Sequence, residues 1–446
     1  MWILKVEGPQ MLKRNLSWGI VLMGLAAFGC SGKTEAPKQT ENRIQEFFVV
    51  MVDGKKGIID RSGTLVVKAQ FDDIHYALFS EGLVAAAEGN KWGYIDEAGQ
   101  FIIQPQFDKA EPFREGLALV KIGGKPEFSR GEVVMVGGKF GFIDKTGKYA
   151  INPQFDWAES FSEGLAAAMI NAKPGPWVEG DWGFVDKGGK FVIPPKFKYV
   201  TSFKNGTTTV TTEQEGKSHR TVLDKTGRVL IAPEFDPGGI CEGLIPICSD
   251  EKHGFADSTG CIVIEPQFEE TGGFKRGLAR VKLGGKWGYV NKAGSIIVEP
   301  QFDEADDFHD GMAAVKVGDR WGYIDEAGGL KVQPQFRYVR EFHEGMAAFS
   351  TGDRPDMQHG FIDKSGRVVV PAQFSSVSDF SDGLAVVEVG GLEGAIDKTG
   401  AFVVGVQEFN LFDFHDGVAM IEDRRTAPPK RGYIDKTGMH LWSPTW

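Results

Sequence analysis

Three histidines occupy equivalent positions in the sequence, and their spacing raises the question of a metal site. His309, His343 and His415 each follow a phenylalanine and precede an acidic residue and a glycine. If the segments that carry them stack, His309 and His343 fall on neighbouring layers, where two imidazoles could hold a metal ion. Elsewhere this position holds Ser80, Arg114, Ser162, Lys204, Cys241, Lys275 and Ser381. Because this mixture is typical of an exposed, variable position, we predict no metal site.

Motifs of catalysis are absent from the sequence. It contains no GxSxG, HExxH, Walker, GxGxxG or CxxC pattern, each of which would place reactive groups or backbone donors for a defined reaction. We therefore predict a non-enzymatic protein without a cofactor. An enzyme whose site is assembled from scattered loop residues is the weakest of three functional hypotheses.

The segments around these residues form a repeat. The phrase KWGYIDEAGQFIIQPQF at residues 91–107 returns as KWGYVNKAGSIIVEPQF at residues 286–302. The residue that closes each WGYID-like phrase falls at Asp60, Asp96, Asp144, Asp186, Asp224, Asp257, Asn291, Asp325, Asp363, Asp397 and Asp435. The mean spacing is (435 − 60)/10, or 37.5 residues. A fixed period of this size indicates a repeat array.

Each repeat predicts a three-stranded antiparallel meander. Strand A is GLAAV-like, strand B is the WGYID phrase, and strand C is FVIPPQF-like. Between B and C, an aspartate can accept N–H groups of the turn, and a glycine supplies a left-handed residue. These glycines include Gly99, Gly147, Gly227 and Gly366. A calcium role for the aspartates is disfavoured, because the ion needs several oxygen ligands and each turn offers one carboxylate.

Strand B is apolar at successive positions, which point to opposite faces of a sheet. It must therefore be covered on both faces, as in sheets that stack one repeat on the next. The position before the glycine behaves differently, since it holds Lys56, Arg220 or Glu393 in some repeats. Four repeats carry tryptophan there, at Trp92, Trp182, Trp287 and Trp321. We expect this position to be half-exposed near the A–B turn.

The dipeptides Trp92-Gly93, Trp182-Gly183, Trp287-Gly288 and Trp321-Gly322 carry a family resemblance. The predicted repeat array spans residues 46–446, and residues 47–446 resemble the bacterial WG-repeat proteins, also called KWG-repeat proteins. The resemblance implies an all-β repeat architecture and little chemistry, because such arrays are not tied to one activity.

The repeat number bears on whether the array closes. Propellers usually have four to eight blades of four strands, and this chain has eleven predicted units of three. We therefore expect an open, curved or superhelical solenoid, with β-propeller-like closure as the alternative. The last repeat ends in KTGMHLWSPTW without an apolar strand C, which is typical of a terminal cap.

Three cysteines fall within one repeat. Cys241 and Cys248 are separated by about 23 Å of extended strand, and Cys241 and Cys261 flank strand B at about 10 Å. Cys248 and Cys261 fall at opposite ends of the meander. A disulfide needs Cα atoms within about 7 Å. We predict free thiols, and a bond between Cys241 and Cys261 would require a local bend.

The repeats lengthen at one turn. Segments 121–141, 171–183, 351–360 and 422–432 all enlarge the connection between strands A and B. Insertions that recur on one turn indicate that one rim of the array carries the long loops, and such rims are often binding faces. We predict a partner-binding rim at Phe128, Trp177, Arg354, Arg424 and Arg425. Neutral drift of exposed turns is the alternative.

The N-terminal residues predict export. Lys13 and Arg14 precede an apolar stretch and small residues, which is typical of a secretory signal peptide at residues 1–30. The sequence AFGC that ends at Cys30 resembles a lipobox, so Cys30 is the predicted lipidation site, and simple cleavage before Cys30 stays open. Residues 31–45 are polar and suit a flexible tether. We expect an outer-membrane lipoprotein, facing the periplasm or the surface, whose only membrane contact is the lipid.

The formal net charge of −11 disfavours nucleic acid as a partner. The leading hypothesis is a non-catalytic, envelope-anchored binding or scaffold protein that presents its repeat surface to a protein partner. The alternative is a glycan or cell-wall binder, because half-exposed tryptophans can stack on sugar rings.

Overall fold

The computed structural model describes residues 47–76, 79–129, 132–173, 179–214, 216–353, 356–425 and 429–443. Contacts divide the chain into two units, Met1–Ile44 and Gln45–Trp446. The predicted signal peptide, Cys30 and the tether 31–45 lie outside the described residues. Within the described ranges, no helix has the length and hydrophobicity needed to cross a membrane.

The described residues form eleven antiparallel sheets, which we call blades 1 to 11 in chain order. Nine blades have four strands in the order S–A–B–C, and blades 1 and 6 have A–B–C only. Strands A, B and C are the predicted meander. Strand S was not predicted from the sequence. It is the start of the connector, the segment between strand C of one repeat and strand A of the next, and it pairs with strand A, as Lys109 with Lys121 and Ala110 with Val120.

The S strands, in blades 2–5 and 7–11, are Asp73–Ile74, Lys109–Ala110, Trp157–Ala158, Tyr199–Val200, Glu270–Thr271, Glu304–Ala305, Tyr338–His343, Ser376–Val377 and Asn410–Leu411. The A strands are Phe47–Val52, Val84–Glu88, Ala118–Ser129, Ala166–Lys173, Thr207–Gln214, Leu244–Ser249, Leu278–Leu283, Met312–Val317, Met346–Thr351, Leu384–Val389 and Val418–Asp423.

The B strands are Lys55–Asp60, Lys91–Ile95, Glu132–Ile143, Glu179–Val185, Lys217–Asp224, Lys252–Asp257, Lys286–Asn291, Arg320–Asp325, Gln358–Asp363, Leu392–Asp397 and Lys430–Asp435. The C strands are Leu65–Phe71, Phe101–Phe107, Tyr149–Phe155, Phe191–Phe197, Val229–Ile231, Ile262–Phe268, Ile296–Phe302, Leu330–Phe336, Val368–Phe374, Phe402–Gln407 and His440–Trp442.

The glycine that follows the tryptophan position lies where strands B and C approach most closely. A Cβ atom added to Gly93 would stand 2.3 Å from the carbonyl oxygen of Ile103, and one added to Gly288 would stand 2.4 Å from that of Val298. Strand C changes register with strand B at this point. Any side chain here would push the two strands apart, so the close approach requires glycine.

Blade 5 carries Thr221 where the other blades carry this glycine. Its strand C is correspondingly short, Val229–Ile231, and a 3₁₀ turn at Pro233–Phe235 follows. The threonine side chain accounts for the shortened pairing, because it occupies the space that strand C enters in the glycine-containing blades.

Neighbouring blades pack face to face through the aromatic residue of strand B. Tyr94 contacts Phe113 of the next blade with ring centroids 4.8 Å apart, and its hydroxyl donates a hydrogen bond to the carbonyl oxygen of Glu111 at 2.7 Å. Tyr94 and its neighbour Ile95 are both fully buried. This confirms the prediction that strand B is covered on both faces.

The last blade packs on the first in the same way. The Tyr433 hydroxyl donates to the carbonyl oxygen of Val49 at 3.1 Å, and the Tyr433 ring lies 4.9 Å from that of Phe48. Arg61 of blade 1 also stands 3.9 Å from Asp416 of blade 11. The second unit is therefore a closed eleven-bladed propeller. The expected open solenoid is wrong, and the closed alternative is confirmed.

A recurrent clasp joins neighbouring blades at the S–A turn. Glu81 and Gly82 both have positive φ, as a type I′ hairpin turn requires. The left-handed glutamate costs about 1 kcal/mol, and its contacts offset this cost. Its carboxylate accepts the N–H of Gly116 at 3.1 Å and contacts Lys145 at 3.1 Å, and Lys145 also donates to the Glu81 carbonyl. Equivalent pairs are Glu115–Lys187, Glu163–Lys225, Glu242–Lys292, Asp310–Lys364 and Glu344–Lys398.

Candidate functional site

The propeller has two chemically different rims. In a meander the turns alternate between the two ends of the sheet, so the S–A and B–C turns share one end and the A–B turns lie at the other. We call these ends the B–C rim and the A–B rim. The contact of Lys145, in a B–C turn, with Glu81, in an S–A turn, lies on the B–C rim.

Turn aspartates stabilise the conformation of the B–C turns on this rim. The Asp96 Oδ1 atom accepts the N–H groups of Ala98 and Gln100, and Gly99 has a φ of 75°. The same pattern recurs at Asp144 with Gly147. The predicted turn-forming role of these aspartates is confirmed.

Acidic residues between strands C and S tie together the A–B turns of neighbouring blades. Asp72 accepts a hydrogen bond from Lys55 of blade 1 at 2.6 Å and from the N–H of Gly89 of blade 2 at 2.7 Å. Asp303 does the same with Lys286 and the N–H of Gly318. The lysine and then the glycine N–H lower the pKa of the Asp72 carboxyl. The A–B rim is thus a charged, fixed platform.

Blade 3 breaks the symmetry of this platform. Its strands A and B run as a continuous pair from Ala118–Ile143 out to Ser129–Glu132. Strand S pairs only with residues 120 and 121, and strand C only with residues 140, 142 and 143. Within the described residues, positions 122–139 therefore pair with no third strand. We call residues 122–139 the ribbon. Blade 4 beside it is also extended, as far as the pair Lys173–Glu179.

The predicted rim residues are placed unequally. Phe128 lies on the ribbon, and its side chain falls outside the described part of the structure. Trp177 and Arg354 also lie outside the described residues. Arg424 and Arg425 lie at the A–B turn of blade 11.

The charges of Arg424 and Arg425 are compensated within blade 11. Arg424 contacts Glu422 at 2.8 Å and Arg425 contacts Asp423 at 2.9 Å. The Arg425 hydrogen bonds hold the pKa of Asp423 at about 2. A partner would meet neutralised ion pairs here rather than a cationic patch.

The four tryptophans are partly buried at the base of the A–B turns, as predicted. Cations cover two of them: Arg280 and Lys282 lie 5.3 and 5.6 Å from the Trp287 ring centroid, and Lys316 lies 5.7 Å from that of Trp321. These contacts occupy ring surface that a sugar would use.

The structure brings His309 and His343 together across the junction of blades 8 and 9, with ring centroids 5.8 Å apart. Glu341, which the repeat pattern does not mark as a ligand, joins them: its Oε2 atom lies 3.1 Å from Nε2 of His309. The signal that could have found it is the acidic residue just before the connector phenylalanine. His415 is exposed in blade 11, away from this pair.

Blade 6 contains three cysteines, and a surface cavity lies between two later blades. Cys241, Cys248 and Cys261 are free thiols, as predicted. A shallow cavity of about 220 Å³ lies between blades 10 and 11, beside Glu393 and Asp413. It is smaller than the pockets that usually hold drug-sized ligands.

One protein family matches eight stretches of the chain. The family described as WG containing repeat matches the chain at residues 57–92, 92–125, 140–173, 182–215, 254–287, 287–321, 321–354 and 360–392. The chain belongs to the WG containing repeat family. Each match begins near the glycine position of one strand B and ends close to the next strand B. The repeat that begins at Thr221 is unmatched, in keeping with its shortened strand C.

No curated protein matches the chain. Among solved structures it is similar to the tricorn protease, at 12% identity and a TM-score of 0.23, over 80% of this chain and 43% of that one. It is similar to Kluyveromyces lactis Hsv2p at 11% identity and a TM-score of 0.29, over 52% of this chain and 90% of that one. For Porphyromonas gingivalis dipeptidyl peptidase 4 the identity is 11% and the TM-score 0.34, over 64% and 58%. The chain spans less than half the length of the tricorn protease chain. With TM-scores this low, the likenesses carry no argument about function.

Proposed function

We propose that this WG-repeat protein is a non-catalytic scaffold of the cell envelope, and that a protein partner binds the ribbon of blade 3. The observation that carries the proposal is that, among the residues that the structure describes, the edges of the ribbon pair with no third strand. A two-stranded hairpin is marginally stable alone, and its free edges can accept a further strand from another chain.

The composition of the ribbon supports a protein partner. Phe128 pairs in register with Val133, and residues 133–136 read Val-Val-Met-Val. Four apolar residue types in succession make residues 133–136 the most apolar stretch of the ribbon sequence. A ribbon of this kind gains stability when a partner covers it, because apolar area leaves water.

Envelope anchoring is part of the same proposal. It is supported by the signal-like sequence before Cys30 and the polar residues that follow it. A tethered ring with an extended hairpin in blade 3 would hold a partner close to the membrane surface without any chemistry of its own.

The test is capture from the envelope fraction of the native bacterium with the chain from Ser31 onward as bait. A variant lacking residues 125–138 joins Gly124 to Lys139 and reads KIGGKFG, which reproduces the pattern KLGGKWG at residues 282–288 of blade 7. We expect a discrete protein to be captured by the full chain and lost from the variant.

The matched control inserts the deleted fourteen residues after Gly285, so that composition is kept and only the position of the ribbon changes. Circular dichroism confirms folding of each variant. Equal capture of the same protein by the full chain and the deletion variant would refute the proposal. Retention of peptidoglycan or polysaccharide by both would favour the tryptophan-based alternative.

A further inference from the structure

A cluster of metal-ligating side chains lies at the junction of blades 8 and 9, independent of the proposed binding ribbon. It consists of His309 from blade 8 and Glu341 and His343 from blade 9. One ligand atom from each residue can be chosen so that all three lie within 4.8 Å of one another. All three side chains are partly exposed, so an ion from solution can reach them.

The local structure of blade 9 explains why two of these ligands lie together. Its strand S spans Tyr338–His343, whereas the other S strands have two residues. The pairing of this strand shifts register at Arg340 and Glu341. Beyond the shift, Glu341 and His343 flank the buried Phe342, and Oε2 of Glu341 lies 3.9 Å from Nε2 of His343. His309 reaches them from the preceding blade, where it is bridged to Met312.

The distances fit a transition-metal site with small side-chain movements. Ligands at about 2.1 Å from a tetrahedral zinc ion lie about 3.4 Å from each other. The Nε2 atom of His309 is 3.1 Å from Oε2 of Glu341, and Nε2 of His343 is 3.9 Å from the same oxygen. The required adjustment is in His343, whose side chain is 39% exposed.

The surrounding charges include both support and competition. Asp379 of blade 10 has Oδ2 3.7 Å from Nε2 of His343, and its Oδ1 atom is buried without a hydrogen bond, 3.9 Å from the Arg340 guanidinium. Lys275 of blade 7 lies 3.0 Å from Nε2 of His309 and 3.4 Å from Asp307. The lysine must leave the imidazole when a metal binds, and Asp307 offers it a second position.

We propose that His309, Glu341 and His343 form a zinc-binding site that links blades 8 and 9. Two imidazoles and one carboxylate suit zinc, whereas calcium and magnesium prefer oxygen ligands alone. Three protein ligands leave the fourth position of the ion open for water or for a group of a bound partner. The ion adds a coordination link between blades at a junction that also carries the Asp310–Lys364 ion pair.

The experiment is isothermal titration of zinc chloride into the untagged, chelator-treated chain from Ser31 onward at neutral pH. We expect binding of a single equivalent, weakened at least about tenfold in His343→Ala and in Glu341→Gln. Magnesium and calcium should give no comparable signal. The matched control is His415→Ala, the same residue type at the same repeat position, which should bind as the parent chain does.

Lys275→Met separates ligation from damage to the fold. It removes the competing ammonium and keeps an apolar stem, so zinc should bind more tightly than in the parent chain. Thermal melts confirm that each variant is folded. The proposal is overturned if the parent binds no more zinc than His309→Ala/His343→Ala, if Lys275→Met weakens binding, or if His415→Ala weakens it as much as His343→Ala.

Discussion

In the clasp between blades 7 and 8 the acidic and basic partners are exchanged. This exchange allows a quantitative test of how much the clasp ion pair contributes to the stability of the ring. The usual clasp places an acid in the earlier blade and a lysine in the later one, as in Glu242 and Lys292 at 3.1 Å. Between blades 7 and 8, Arg276 stands in the acidic position and Glu326 in the lysine position, with Nε and Oε1 2.8 Å apart. The reversal of both partners preserves the attraction.

We expect Arg276→Glu and Glu326→Lys to destabilise the ring singly and to compensate when combined. The two side chains are 55% and 44% exposed, so the pair is screened and contributes about 0.5 kcal/mol. Each single change removes this attraction and adds a repulsion of similar size, at a cost of about 1 kcal/mol. The double variant restores the usual polarity. The coupling energy should therefore be about 2 kcal/mol.

The assay is urea unfolding of the parent, both single variants and the double variant, with tryptophan fluorescence as the probe. Thermal melts of the same four proteins provide a second measurement. A glutamate already occupies the position of Arg276 in blade 6, at Glu242 with a φ of 49°, so the backbone tolerates the change. The reasoning is refuted if the double variant is destabilised by the sum of the two single effects, within about 0.5 kcal/mol.

Three further predictions concern the same architecture. In urea unfolding, Gly288→Ala should lower the free energy of unfolding by about 3 kcal/mol, because the added methyl group meets the carbonyl oxygen of Val298 in strand C. At Gly405 an added Cβ has no atom within 4 Å, so Gly405→Ala should change the free energy of unfolding by less than about 1 kcal/mol. Tyr433→Phe should cost about 1 kcal/mol in thermal melts, because it removes the hydrogen bond that joins the last blade to the first. A hydrogen bond from His75, and then one from Lys109, lowers the pKa of the Glu111 carboxyl from 4.5 to about 2. The free energy of unfolding that this carboxylate contributes is present above pH 4.5 and should be lost as the pH falls from 4.5 to about 2. In urea unfolding at a series of pH values, Glu111→Gln should show a smaller loss over this range.

Each of these has a contrary outcome. Equal effects of the two glycine substitutions would mean that the strand B to strand C approach is not what requires glycine. A Tyr433→Phe variant as stable as the parent would argue against a stabilising seam between blades 11 and 1. An unchanged acid-unfolding profile in Glu111→Gln would remove this carboxylate from the acid response.

The sequence predicted the meander and its turns well because those features depend on local chemistry. Glycine at Gly99 and Gly147 and the aspartate before each turn act within a few residues, so a single repeat contains the information. Closure does not. It depends on a small rotation between neighbouring blades summed around the ring, and the last repeat, read as a cap, instead packs Tyr433 on Val49.

The candidate sites also combine features that the repeat pattern predicts with features that depend on the folded ring. The repeat register predicted that His309 and His343 would fall on adjacent layers, and the structure places them so. Glu341 was missed because its position is acidic in only some repeats and nothing in its own repeat shows which neighbour it faces. The loop positions on one rim were predicted from the insertions, but the paired charges of Arg424 and Arg425 depend on acids that only the folded turn brings near.

Binding of a protein partner to the ribbon of blade 3 can be examined by site-specific photo-crosslinking in the native cell. A photoreactive residue replaces Phe128 on the ribbon, and in a matched variant it replaces Met439, which is 62% exposed on the opposite rim. We predict a discrete protein adduct from position 128 and none from position 439. An adduct from position 439 alone, or equal adducts from both positions, would mean that the ribbon is not the binding surface.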